Sequence, residues 1–127
     1  MLNSRLITEL TPEAQVWFHR FAAHTHEAGL VWGTDWGVDR TKCDQEFQDY
    51  LYEQGRSRPG KIVTWTRDSR HICGEAWDCF IMEDGKAIWF SPKYGQIAEI
   101  GKGIGLECGY FWPRPKTDPG HYQIPRE

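Results

Sequence analysis

Two short stretches of the chain bring together side chains that could share one chemical task. Residues 69–78 read SRHICGEAWD and set His71 seven positions ahead of Asp78, while TDPGHYQ sets Asp118 three positions before His121. Two imidazoles and one carboxylate are the donor set of an open zinc site, which keeps a position for water, and a spare carboxylate is a candidate base. Activating a water removes a proton and expelling an amine needs one, and a carboxylate beside the site can serve both ends. Asp118 is the first candidate because its neighbour His121 carries it to the site; Glu107, within GLECGY, is the alternative. Arg40 could stabilise charge on a carbonyl oxygen or hold a substrate carboxylate, and Ser69 could orient its loop or donate to substrate. Each has an ordinary explanation as well. H-x6-D and D-x-x-H arise by chance, Asp before Pro119 commonly forms a turn, and Glu107 reads equally as a charge at a strand end. A lone arginine is usually a surface residue, and a lone serine a local cap. On spacing alone both readings stand.

These residues need a frame, and the sequence outlines one. Thr11-Pro12-Glu13 opens a helix with a cap, a first-turn proline and a charge that complements the dipole. Ala14, Trp17, Phe18, Phe21, Ala22, Thr25 and Ala28 recur at helical spacing up to Gly29. His19, His24 and His26 fall mainly on the polar side and read as solvated. Residues 30–39, LVWGTDWGVD, suggest a strand leading into a turn. A second helix is expected over 41–54, with Cys43, Phe47, Tyr50, Leu51 and Gln54 inward and Gly55 terminating it. KIVTWT at 61–66 has the β-branched and aromatic content of a strand. Residues 76–82 and 87–90 read as a hairpin around Glu83-Asp84-Gly85-Lys86. A short helix over 94–100 and closing strands at 106–108 and 121–124 complete the frame, with the proline-rich FWPRPKTDPG between those strands. The pattern is α+β, with helices packed on one side of a small, mostly antiparallel sheet, in one domain over 1–127.

Composition narrows the function. The 127 residues can bury a core without staples. The net charge of −3 lacks the basic surplus that phosphate recognition demands, which argues against nucleic acid as the partner. No apolar run is long enough to span a bilayer, so no stable membrane insertion is expected. Seven tryptophans suit either a compact core or a surface on which sugars and peptides stack. Cys43, Cys73, Cys79 and Cys108 form no C-x-x-C pair; free buried thiols are expected, with a cysteine-containing structural site the alternative. MLNSRLITEL lacks the charged start and apolar stretch of a secretory signal, so synthesis in the cytoplasm is expected.

Taken together, Ser69, His71, Gly74, Ala76 and Asp78 match S-x-H-x-x-G-x-A-x-D. In this the chain resembles the zinc D,D-peptidases of the Hedgehog/D,D-peptidase fold. The resemblance is strongest to the phage L-alanyl-D-glutamate endopeptidases, endolysins that cut the stem peptide of peptidoglycan. RTKCDQ resembles that family's Arg-Ser/Thr-x-x-Glu-Gln segment, LYEQGRSRPGKIVT its lead-in to the zinc loop, IGLECGYFW its Leu-Glu-Trp-Gly-Gly stretch, and DPGHYQ its closing Asp-x-Pro-His-Phe. The chain departs from the pattern at Cys108, at Tyr110, at Pro119-Gly120, and in GVDR, one residue longer than the usual Gly-x-Arg.

The resemblance implies Zn2+ held by His71, Asp78 and His121. It implies Asp118 as base and then acid, Arg40 as the arginine that binds substrate near the reacting carbonyl, and Ser69 as the signature serine. The implied partner is the peptidoglycan stem peptide, met by a monomer in the periplasm after release from the cytoplasm. Cleavage of D-Ala-D-Ala termini on the same scaffold, as a D,D-carboxypeptidase or dipeptidase, is the neighbouring alternative. A zinc-stabilised binding module without catalysis is the alternative from another class.

Overall fold

A computed structural model describes residues 1–126. Its elements run α1 (Pro12–Glu27), β1 (Trp36–Arg40), α2 (Gln45–Glu53), β2 (Ala76–Glu83), β3 (Lys86–Ile88), α3 (Lys93–Ile104), β4 (Glu107–Cys108) and β5 (His121–Gln123). The strands form one antiparallel sheet in the order β1-β2-β5-β4, with β3 folded back on β2 as a hairpin. The α+β expectation is borne out.

Helix α1 begins where its cap dictates. Thr11 Oγ1 accepts the Ala14 N–H at 3.1 Å, satisfying one of the donors that a helix start leaves open. Ala14, Phe18, Phe21 and Thr25 then form its buried stripe. They meet the sheet face carrying Trp36, Trp77, Ile81 and Tyr122, all fully buried or nearly so. Ring centroids lie 5.3 Å apart for Phe18–Trp77 and 4.6 Å for Phe21–Tyr122, while Trp77 and Tyr122 stack at 6.2 Å. The Trp36 indole N–H, buried with them, donates to Thr25 Oγ1 and the Leu30 carbonyl, each at 3.1 Å. From α3, Tyr94, Ile97 and Ala98 close this core. His19, His24 and His26 are exposed.

Several boundaries differ from the sequence expectation, each for a physical reason. In 30–39 the turn comes first. Asp35 Oδ2 accepts the Val31 N–H at 2.7 Å, and the strand starts only at Trp36. Helix α2 starts later than expected because Cys43 is engaged elsewhere, bridging Asn3 and donating its N–H to the His71 carbonyl. Asp44 is the cap, and Gln48 is the helix's buried residue, while Tyr50 is exposed. KIVTWT is not a strand. Two of its carbonyls are taken by side chains of α2 and its cap, with Gln48 Nε2 donating to the Thr66 carbonyl at 2.7 Å and Gln54 Nε2, just after the helix, to the Lys61 carbonyl at 3.0 Å. Among the described residues no ladder partner reaches it, and Trp65 is 46% exposed. Helix α3 runs on to Ile104 despite its glycines, because Gly101 lets the Tyr122 ring lie against the helix. All four cysteines are free; Cys43, Cys79 and Cys108 are buried but Cys73 is exposed, unlike the buried thiol expected there.

Candidate metal centre and its cleft

Side chains alternate between the two faces of a strand, so the residues between the core positions share the opposite face. Across that face the register aligns Arg40 with Asp78, Asp78 with His121, and Gln123 with Glu107. The four strands thus share one polar face, with Arg40, Asp78 and His121 in one row and the Gln123–Glu107 pair two residues further along β5. Arg40 joins it through a bulge: Val38 pairs with Cys79, Arg40 with Asp78, and Asp39 is the extra residue between them. The additional residue of GVDR is taken up there.

His71 comes to the row from the loop before β2, where Ser69 Oγ accepts the His71 N–H at 3.2 Å. His71 Nε2 lies 3.1 Å and His121 Nδ1 3.0 Å from the same atom, Asp78 Oδ1. One atom from each of the three residues falls within 4.8 Å of the others. The outward nitrogens are fixed by partners that accept. His71 Nδ1 is 2.9 Å from the Thr41 carbonyl, which can only accept, so Nδ1 carries a hydrogen and Nε2 turns its lone pair inward. His121 Nε2 is 2.8 Å from Gln123 Oε1, which leaves Nδ1 as the inward donor atom. Two imidazole lone pairs and a carboxylate oxygen facing one point fit a divalent metal ion of the zinc type, and their outward hydrogen bonds fit the usual support of ligating histidines.

Electrostatics agree with that geometry. Burial works to raise the Asp78 pKa, yet the two imidazoles outweigh it and hold the carboxyl well below the usual range. Burial works to lower the His121 pKa, and its contact with Asp78 outweighs this too, leaving it raised. Arg40 Nη1 stands 3.8 Å from Asp78 Oδ2, its Nε donating to Asn3 Oδ1 at 2.9 Å and its guanidinium lying 5.0 Å over the Phe47 ring.

Asp118 reaches the same point from the turn before β5. Its Oδ2 is 4.0 Å from His121 Nδ1, and its side chain is 56% exposed toward the cleft. Two glycines make the approach possible. At Gly120, with φ +94°, a Cβ would meet the Cys79 carbonyl oxygen at 2.4 Å; at Gly109 it would meet the Asp118 carbonyl oxygen at 2.5 Å. The Asp118 N–H in turn donates to the Gly109 carbonyl at 2.8 Å. Loss of hydration in the cleft, followed by the nearby Asp78 charge, raises the Asp118 pKa. A carboxylate so placed is suited to take up a proton.

The group opens into a cleft of about 720 Å³. Arg40, Ser69, Ile62, Trp65, Trp112 and Asp118 are among its lining residues, and the Trp112 ring lies 5.1 Å from that of His121. Glu107 does not line it and instead accepts a hydrogen bond from Gln123 Nε2, so the alternative base is not at the site. Sequence reasoning missed Thr41, Gln123, Asn3 and Trp112. Gln123 had a signal, since on a strand it shares the face of His121 two residues earlier; Thr41 lies in the RTKCDQ segment, but nothing there tied it to His71, thirty positions on.

No family model matches the chain. The peptidoglycan L-alanyl-D-glutamate endopeptidase CwlK of Bacillus subtilis (strain 168) is 38% identical over 90 residues, covering 61% of this chain and 54% of that protein. The chain therefore matches about half the length of this curated relative. The crystal structure of the Serratia marcescens L-Ala D-Glu endopeptidase ChiX superposes with a TM-score of 0.70 at 22% identity, over 94% of this chain and 83% of that one. The chain has the fold of that enzyme, and the similarity to L-alanyl-D-glutamate endopeptidases stated from its signature is borne out.

Proposed function

We propose that the chain is a zinc-dependent peptidoglycan endopeptidase that hydrolyses the L-Ala–D-Glu bond of the stem peptide, and that it serves as a phage or prophage endolysin. The observation that carries this reading is the convergence of His71 Nε2, Asp78 Oδ1 and His121 Nδ1, with the Asp118 carboxylate 4.0 Å from the last of them. The similarity to CwlK supports the choice of bond. Peptidoglycan lies outside the cytoplasmic membrane, so action follows release to the wall.

Zinc, when bound by these three residues, supplies a Lewis acid that polarises a carbonyl and makes water more acidic. The chain's own residues do the rest. Asp118 takes the proton from the attacking water and returns it to the departing amine; its raised pKa suits both transfers. Arg40, held by Asn3 and Phe47, presents its guanidinium where negative charge grows on the carbonyl oxygen or where a substrate carboxylate must be met. Trp65 and Trp112 offer apolar walls to the peptide. Ser69 shapes the loop that delivers His71.

Mass spectrometry of soluble products from purified Gram-negative peptidoglycan, with and without a chelator, tests the proposal. Chelator-sensitive release of peptides beginning at D-Glu is expected. Loss of terminal D-Ala alone would move the protein to the carboxypeptidase alternative, and no product from folded, zinc-loaded protein would favour the binding module.

A further inference from the structure

We propose that Glu107 is a positioning residue for the metal site, acting through the side-chain amide of Gln123 to hold His121 in its metal-binding tautomer. This rests on the zinc site proposed above. A glutamine amide has an accepting oxygen end and a donating nitrogen end of nearly equal shape, and rotation exchanges them. With the oxygen toward His121, Nε2 carries the hydrogen and Nδ1 keeps its lone pair for a metal. With the nitrogen toward His121, Nε2 must accept, the hydrogen moves to Nδ1, and the lone pair needed at Asp78 is gone. The ligand therefore depends on which way one amide points.

Glu107 decides it. It stands directly opposite Gln123 in the β4–β5 register and accepts from Gln123 Nε2. A carboxylate only accepts, so the nitrogen end must face it and the oxygen end must face His121, where Oε1 lies 2.8 Å from Nε2. The two histidines differ in this respect. His71 is set by the Thr41 carbonyl, a backbone group that cannot rotate, and needs no third residue. His121 is set by a rotatable side chain and needs one. Glu107 lies outside the cleft, so it acts without touching substrate.

The test uses the full chain, ring-15N-labelled at histidine, at a pH where His121 is neutral. Long-range 1H–15N spectra of the metal-free protein in an Asp78→Ala background, which removes the carboxylate 3.0 Å from Nδ1 that would itself draw the hydrogen there, read the His121 tautomer, and competition with a chelator in the Asp78 protein reads zinc affinity. Glu107→Gln, whose amide can donate or accept, should populate both tautomers and weaken zinc binding by about 10-fold, with Gln123→Leu nearer 100-fold. The exchanged pair, Glu107→Gln with Gln123→Glu, returns an obligate acceptor to His121 and a donor to the outer strand. It should recover the Nε2–H tautomer and most of the affinity. A Glu107→Gln protein with a single Nε2–H tautomer and unchanged affinity, even with a lower melting temperature, would reduce Glu107 to strand pairing and overturn the proposal. So would an exchanged pair no better than the single variant. The tautomer is read without metal or substrate, so a failure of the peptidase reading leaves this test decidable.

Discussion

On one face of β2 stand Trp77, Cys79 and Ile81, each almost wholly buried; on the other stand Asp78 and Phe80, partly open to water. The same strands continue the division. Trp77, Tyr122 and Cys108 follow one another across three strands on the core side, and Arg40, Asp78 and His121 across three strands on the site side. The core side is held by burial and by ring packing, which are largely non-directional and forgive a change of partner if volume is kept. The site side is held by hydrogen bonds between named atoms, each with one acceptable orientation. The apolar face fixes the backbone, and the fixed backbone lets a few polar atoms meet to within a fraction of an ångström.

The sharpest way to separate the faces is to remove one residue from each. His71→Ala should abolish stoichiometric zinc binding and chelator-sensitive hydrolysis, read by metal analysis and product mass spectrometry; retained zinc would remove His71 from the ligand set. Asp118→Asn should keep zinc and lower the hydrolysis rate by about 10²- to 10⁴-fold. Unchanged hydrolysis would strip Asp118 of its role. On the core side, Trp77→Ala should cost about 3–5 kcal/mol in denaturant unfolding, the usual consequence of emptying a buried aromatic site. A loss below about 1 kcal/mol would mean that α1 does not depend on that face.

Acid should affect the site face first in the metal-free protein. Asp78 is held below its ordinary value of 3.8, so its contribution to stability is present above that pH and lost as pH falls through the folded value. His121 is raised above 6.5, so its contribution is present below that pH and lost as pH rises through the folded value. Asp78→Asn should flatten the acid limb of a stability–pH curve and remove the decline above pH 6.5. Zinc must displace the His121 proton, so its affinity should fall as pH drops through the raised value, measurable by chelator competition. The smallest change expected is Tyr122→Phe. The Tyr122 hydroxyl is buried without a partner among the described residues, so its removal should shift stability by less than about 1 kcal/mol, toward greater stability. A large loss would show that the hydroxyl is engaged.

How much the sequence disclosed follows the same division. The core face was readable from periodicity alone: α1 lies where its cap and stripe put it, and the hairpin turns at Asp84-Gly85. His71, Asp78, Asp118 and His121 were readable because their types and order match a signature, although spacing could not say that they meet. KIVTWT was misread because strand propensity reports a fit to a pleated neighbour, and Gln48 of α2 and Gln54 at its end take two of its carbonyls instead. Glu107 was offered as a base because a sequence shows that a strand residue is charged but not which neighbour it faces across the register. Thr41 holds His71 through its backbone oxygen, which every residue has, while its hydroxyl donates to the Ser4 and Leu6 carbonyls, so its side chain could not point to His71.

The bulge at Asp39 bears on how such chains are aligned with one another. An arginine that keeps its place opposite Asp78 while the count of preceding residues changes is defined by its neighbour across the sheet, not by its distance from Gly37. A gap-free pattern written from glycine to arginine would slide one position here and put an aspartate of opposite charge in the place of Arg40. An insertion in β1 therefore disturbs an alignment more than it disturbs the polar face of the sheet.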